Sequence, residues 1–462
     1  MKLMLRCLAL LLLSTQLDAA EFRAGAASVV ITPPAGTPVA GYYHLRTADG
    51  VLDDLYAKAL VIEQDGARAA FVTLDLITTT RPVIVEARRL IAEQTGIAPE
   101  SVMISATHSH TGPVLTYGST LDELTGGETP LAHSYVGTLP SLIARSVAEA
   151  NAGLAAAGAS VMLLREERLS FNRRFWMNDG TLSWNPPKLD PAIVAPAGPI
   201  DPDLGLLHVK TTGAKPVSLA AYVNFALHAD VVGGSRISAD FPGVLARHLA
   251  RSTGASTVTL FANGCCGNIN HRNVWWNSPQ SGPEETERIG TALAGTLLAN
   301  WSALAPLKAP APQSRSVMVE IPARQFSADA VESARNVVRQ KKSGTVVQAE
   351  AFCVLDSLLR EGKPYEVEVQ VIALGDELAI VSLPGEIFVE LGLAIKKASP
   401  FKYTFIAELA NGSLGYVPNR AAYAEGNYEV VSARGAEGSG ERLVDAAVKL
   451  LGELKALPVG KR

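Results

Sequence analysis

The chain has 462 residues, 48% of them hydrophobic and 19% charged, with a formal net charge of −4. That length can bury the core of one large domain or two, and the balance excludes a chain disordered throughout. Acids and bases are interspersed, and no basic run could neutralise several phosphates at once, which excludes a nucleic-acid binder.

Residues 1–6 carry Lys2 and Arg6, residues 7–13 are uninterruptedly apolar, and Asp18-Ala19-Ala20 supplies small residues before Glu21. Together they predict a cleavable secretory signal over 1–20 and a secreted or periplasmic mature chain. The apolar core is too short to span a bilayer, and no later run is long enough, so no transmembrane segment is expected in the mature chain. With Cys7 removed, Cys265, Cys266 and Cys353 remain, an odd set that argues against a disulfide framework. The adjacent pair reads as free, small core thiols, with a strained vicinal disulfide as the alternative.

Apolar, β-prone runs over 57–63 and 69–74 lead to a helix that Pro82 opens and Gly96 closes, with Val83, Ala87, Leu90 and Ile91 on one face. A short strand over 102–106 and a helix over 141–150 follow. Residues 179–202, rich in proline and containing Trp184, read as a long ordered loop. Strands over 219–225 and 257–261 precede a helix over 285–301 that aligns Ile289, Leu293 and Leu297. The rest reads as a helix over 328–341, strands over 366–374, 378–382 and 403–407, and a helix over 441–457. This pattern predicts an α/β fold of mixed sheets flanked by helices, with several strands covered on both faces. No second composition regime interrupts it, so 21–462 reads as a single catalytic domain.

The unusual polar residues fall just beyond apolar strands. Thr107, His108, Ser109 and His110 follow the strand at 102–106, and His228 follows AAYVNFAL. NGCCGNINH follows TVTLF, Glu386 follows LAIVSLPG, and the run from Asn411 to Tyr416 follows YTFIAELA. In α/β sheets functional residues collect at strand ends, so these ends predict one assembled site. Residues two apart point the same way in an extended segment, which would turn His108 and His110 into one cleft. A catalytic zinc site needs neutral imidazoles, an anionic oxygen and one position for water, and His108, His228 and Glu386 supply that minimum. The alternative is a set of structural histidines, the commoner fate of an isolated imidazole. His208 on a strand and His248 on a helix take no functional role, and His44 and His133 are unassigned. Asp75 and Asp240 either orient a ligand imidazole or cap turns.

ATHSHTGP resembles the THTHSGP signature of the neutral ceramidase family, zinc-dependent amidases that cleave the N-acyl bond of ceramide. The resemblance continues in order through AGAASVVITPP, GVLDDLYAKALVI, FVTLDLI, VNFALHADVVGG, ISADFPG, LPGEIF and NGSLGYVPNRAAYAEGNYEV. It implies that His108, His228, Glu386 and Tyr416 are zinc ligands, that His110 is a neighbouring catalytic group, and that Tyr428 is a second active-site tyrosine. Arg173, in FNRRF, looks like the arginine of the family's NRSP segment. The implied activity is hydrolysis of an amide or related acyl bond by metal-activated water. His110 would pass a proton to the departing amine, and Tyr428 or Arg173 would bond the oxyanion.

The departures narrow this expectation. Where the family's GDVSPN segment carries an essential serine, this chain has Gly267-Asn268-Ile269-Asn270-His271, with Asn270 in the serine's place. An asparagine can hydrogen-bond but cannot form a covalent acyl-enzyme. Asn270 or His271 then binds substrate, or the run is a plain turn. Arg462 comes soon after the tyrosine motif, so the family's immunoglobulin-like C-terminal domain is not expected in this sequence. Trp275 and Trp276 wall a cleft or lie in the core. The expected partner is a small molecule: a lipid amide, or a non-ceramide amide, ester, lactone or saccharide-related compound. A catalytically idle binding protein on the same scaffold is the alternative, and four ligand positions filled by competent residue types argue against it.

Overall fold

The computed structural model describes residues 21–116, 120–340 and 344–457, so the signal expected at 1–20 lies outside the described residues. Strands β1 (Arg23–Val30), β2 (Tyr56–Gln64) and β3 (Ala67–Leu74) pair antiparallel, and β4 (Val102–Ala106) joins β3 in parallel. On the other side of β1 lie β5 (Ala155–Arg165), β6 (Asp203–Thr211) and β7 (Ser218–Phe225), all antiparallel, followed by β8 (Val258–Asn263) parallel to β7. A short strand, Ala305–Pro306, also pairs with β5, completing a nine-stranded sheet. Parallel pairing requires a crossover, and each edge pair has one: helix Arg81–Thr95 between β3 and β4, and helix Asp240–Thr253 between β7 and β8. The sheet curls until β8 packs against β2, β3 and β4. Asn263, at the end of β8, donates to the Thr107 carbonyl just beyond β4 at 3.5 Å. The two ends of the sheet therefore deliver their loops to one place.

A second sheet of β9 (Pro312–Ile321), β10 (Tyr365–Leu374), β11 (Leu378–Ser382) and β12 (Tyr403–Ala407) packs on the first. Alternation decides which residues face it. In β2, Leu60 and Ile62 pack with Ile372, Ile380 and Phe405 between the sheets, while Ala57, Ala59 and Val61 face helices Arg81–Thr95 and Pro130–Ala152 outside. Both faces are covered, which accounts for the unbroken apolar runs in the sequence. Gly205 in β6 lets the sheets approach closely, because a Cβ there would lie 2.4 Å from the Phe405 ring. Helices Val389–Ala398 and Ser439–Lys455 close the outer face of the second sheet.

The helix expected over 141–150 begins earlier, at Pro130, where the Thr129 side chain accepts the Ala132 amide, and it carries Pro140 inside it. The stretch expected as a loop over 179–202 contains two short strands, Leu182–Trp184 and Ile193–Pro196, which pair with Arg174–Met177. Strands this short carry no readable alternation, so a local three-stranded sheet passes for a loop. Cys265, Cys266 and Cys353 are free and buried. Among the described residues no helix is long and apolar enough to cross a membrane.

One buried ion pair joins the two sheets' layers. Arg88, on helix Arg81–Thr95, donates from Nη1 to both Glu368 oxygens on β10 at 3.0 and 2.9 Å, and Arg81 pairs with the same carboxylate. Glu368→Ala leaves Arg88 buried and uncompensated, and urea unfolding should show a loss of about 3–5 kcal/mol. A loss below about 1 kcal/mol would place the pair among the weak surface bridges.

Candidate metal centre

The chain leaves β4 at Ala106 and turns at once. His108 has φ 71, the left-handed region uncommon for a side-chain-bearing residue, and its amide donates to the Leu76 carbonyl at 2.9 Å. The segment is thus not extended, and His108 and His110 converge because of this turn, not by strand alternation. His108 Nδ1 lies 2.7 Å from the Ile77 carbonyl, and His228 Nδ1, beyond β7, lies 2.9 Å from the Cys266 carbonyl. A carbonyl can only accept, so each Nδ1 carries its proton and each Nε2 presents a lone pair.

Those lone pairs meet a carboxylate. Glu386 Oε2 lies 3.4 Å from His108 Nε2 and 3.3 Å from His228 Nε2, and His110 Nε2 lies 3.2 Å from His108 Nε2. Glu386 Oε2 is buried with no hydrogen-bond donor. Atoms bound about 2.0–2.1 Å from a tetrahedral ion stand about 3.3 Å apart, so the observed separations suit a metal. His108, His110 and His228 form a buried group able to hold one. Burial pushes the His110 imidazole down to about 4 and the His228 imidazole to about 3, so both are neutral at neutral pH, as metal binding requires.

Glu386 and Tyr416 are register partners in a short parallel pair, Glu386–Ile387 with Tyr416–Val417, which puts phenol and carboxylate on the same side. The Tyr428 hydroxyl meets the Tyr43 hydroxyl at 3.2 Å, and its ring stacks on Trp184 with centroids 4.4 Å apart. Arg173 is buried behind these tyrosines, its guanidinium 5.4 and 5.8 Å from the two ring centres. Its Nε donates to Glu429 at 2.8 Å and its Nη2 to the Gly267 carbonyl at 2.6 Å, while Nη1 lies 3.3 Å from His228 Nε2. A cleft of about 610 Å³ opens over His108, His110, Glu386, Tyr416 and Tyr428, with helix Thr345–Leu359 along one wall.

Arg173 and Asn270 do not line that cleft. Asn270 donates from Nδ2 to Asn185 at 2.8 Å and accepts the Arg272 amide at 3.0 Å, so its polar atoms hold a turn. His271 is buried against the Gln280 carbonyl at 2.7 Å, and Trp275 and Trp276 are half exposed away from the cleft. Neither Asp75 nor Asp240 touches an imidazole: Asp75 pairs with Lys58 at 2.8 Å, and Asp240 accepts the Val231, Val232 and Phe241 amides. Asn411 bonds the Ile104 amide and Gln370, tying β4 to β10.

Sequence reasoning missed Asp230, whose Oδ1 lies 3.6 Å from His110 Nδ1 and accepts the Tyr42 hydroxyl at 2.7 Å. Its signal was its place two residues after His228 at the same strand exit. It also missed Glu429, which no exposed site pattern marks, because it is fully buried and pairs with Arg173 and with Arg174 at 2.9 Å.

The chain superposes on a neutral ceramidase from Pseudomonas aeruginosa with a TM-score of 0.73 and 22% identity, covering 96% of this chain and 76% of that one. A ceramidase complexed with C2 aligns with a TM-score of 0.72 and 20% identity, covering 95% of this chain and 76% of that one. The chain therefore has the fold of the neutral ceramidases. No family model matches the sequence, and no curated protein does.

The neutral imidazoles set a pH dependence. His208, buried beside Ser218, is likewise pushed down to about 4. Unfolded histidines titrate near about 6.5, so between there and about 4 these three imidazoles bind more protons in the unfolded chain than in the folded one, while Asp240, pushed up to about 6 by burial, acts the other way. The contribution of the three histidines to the stability of the metal-free protein is complete above about pH 6.5, and its loss, outweighing Asp240, should lower the urea midpoint as pH drops through that window. Urea midpoints measured across the same range check this, and a flat profile would contradict it.

Proposed function

We propose that the chain is an exported, zinc-dependent hydrolase of the neutral ceramidase superfamily, residues 21–462 forming one catalytic domain, that opens an amide (N-acyl) or related acyl bond with water. The observation that carries this reading is the convergence of His108 Nε2 and His228 Nε2 on the orphaned Glu386 Oε2 at the bottom of a cleft. His108, His228, Glu386 and Tyr416 would hold the zinc. A zinc ion there supplies a Lewis acid for the carbonyl and activates water near neutral pH.

The chain's own residues do the rest. His110 faces the cleft with Asp230 behind its Nδ1, an arrangement that favours the imidazolium while a proton passes to the departing nitrogen. As the bond from carbonyl carbon to nitrogen breaks, water's oxygen joins the carbon and one of its protons reaches the amine through His110. The Tyr428 phenol, steadied by Tyr43 and Trp184, would donate to the developing oxyanion. Arg173 acts from behind, its charge against both tyrosine rings and its direction fixed by Glu429. Asn270 offers no nucleophile, so no acyl group is expected on the protein.

His228→Ala should lose most of its zinc by elemental analysis of the purified protein, and full retention would show that the ligand set is wrong. His110→Ala should keep zinc and lose about 100-fold or more in turnover on an N-acyl substrate. Loss of metal from that variant would make His110 a ligand, and unchanged turnover would make it structural. Mass spectrometry during turnover should find no substrate-derived acyl adduct. An adduct on any side chain contradicts direct attack by water.

A further inference from the structure

One charged pair facing the cleft has no part in the chemistry above. Helix Thr345–Leu359 turns Phe352 and Asp356 towards the cleft, one helical turn apart. The Phe352 ring stacks on Tyr43, centroids 5.5 Å apart and planes at 9°, and Tyr43 in turn meets Tyr428. Asp356 therefore stands a turn beyond the tyrosines that border the metal centre. Its Oδ2 accepts Arg434 Nη2 at 3.0 Å. Its Oδ1 is buried without a hydrogen-bond donor, although the side chain is only 8% exposed. Arg434 also lines the cleft, and 32% of its side chain is exposed. Gly415, at φ 74, makes room for it: a Cβ there would lie 2.4 Å from Arg434 Nη1.

A buried carboxylate oxygen without a donor is costly, so this wall is built to receive one. The pair is neutral overall, and its two members select by sign. A carboxylate brings no proton and meets Asp356, while an ammonium accepts nothing and meets Arg434. A hydroxyl donates to Asp356 Oδ1 and accepts from Arg434, satisfying both. We propose that Asp356 and Arg434 form a subsite for a hydroxyl group on the part of the substrate remote from the cleaved bond. The substrate class is then a hydroxylated acyl compound and not one ending in plain alkyl. This rests on the hydrolase reading for the word substrate, but not for the binding preference.

The test measures binding and hydrolysis separately on the purified full chain with zinc added. Calorimetry would compare medium-chain carboxylic acids ending in hydroxyl, methyl, carboxylate or ammonium. The hydroxyl end should bind about tenfold more tightly than the methyl end, and both charged ends more weakly than the hydroxyl. In Asp356→Leu combined with Arg434→Met the preference should vanish, and a buried pair replaced as a unit by apolar side chains is commonly tolerated. Asp356→Asn, which keeps the shape, should cut the preference to about threefold or less, because the charged acceptor is gone. Equal binding of hydroxyl and methyl ends by the wild type overturns the subsite, and so does an undiminished preference in the variants. Hydrolysis of N-acyl amides and esters is followed in parallel. A hydroxyl preference without hydrolysis keeps the subsite and overturns the hydrolase reading, while hydrolysis without the preference does the reverse.

Discussion

Acceptor atoms do not gather out of water unless something holds them, and at the centre of this protein two imidazole nitrogens and a carboxylate oxygen do so within 3.4 Å. Each imidazole is fixed by a backbone carbonyl, and those carbonyls belong to loops that must themselves be rigid. Glu408, fully buried, supplies part of that rigidity. It accepts the Cys266 thiol at 2.8 Å and the Ile387 amide at 2.7 Å, so one carboxyl group ties the loop behind His228 to the strand that carries Glu386. The curl of the main sheet has the same effect at larger scale, bringing the exits of β4 and β7 together although they lie far apart in strand order.

Charge is buried around this centre in a consistent way. Glu429 holds Arg173 and Arg174 at once, and Glu368 holds Arg81 and Arg88. Such pairs contribute little net stability over apolar packing, but each is costly to break, which favours one arrangement of the layers over near alternatives. For Arg173 the consequence is local: its guanidinium is committed to Glu429 and a carbonyl, leaving a fixed positive charge against two tyrosine rings and no freedom to reach into the cleft.

The strands and the strand-end histidines were legible because burial on both faces leaves long apolar runs, and the polar residues that interrupt them stand out. Val102–Ala106 followed by His108 is the clearest instance. What the sequence could not show was how the turn after Ala106 aims two imidazoles, since that depends on the φ of one residue. Nor could it separate Arg173 from Arg174, adjacent and chemically alike, of which one lies against the tyrosines and the other against Phe388 and Glu425. Asn270 took its expected importance from its place in a motif, whereas its partners are Asn185 and a backbone amide. Helix Thr345–Leu359 went unread because a helix apolar on most of its faces has no periodic stripe to betray it.

That helix and its neighbour Ala328–Gln340 lie wholly within the connection between β9 and β10, adjacent antiparallel strands whose register is continuous from Pro312 opposite Leu374 to Ile321 opposite Tyr365. The sheet needs only a turn at that place; the helical pair is an elaboration that forms its own small core around Ala334, Ala351 and Val354. The floor of the cleft is drawn from strand exits, while part of the wall facing it comes from this single excursion of the chain. The candidate metal ligands and this part of the wall are thus carried by different stretches of sequence, so a change in the excursion would reshape the cleft without touching His108, His228 or Glu386.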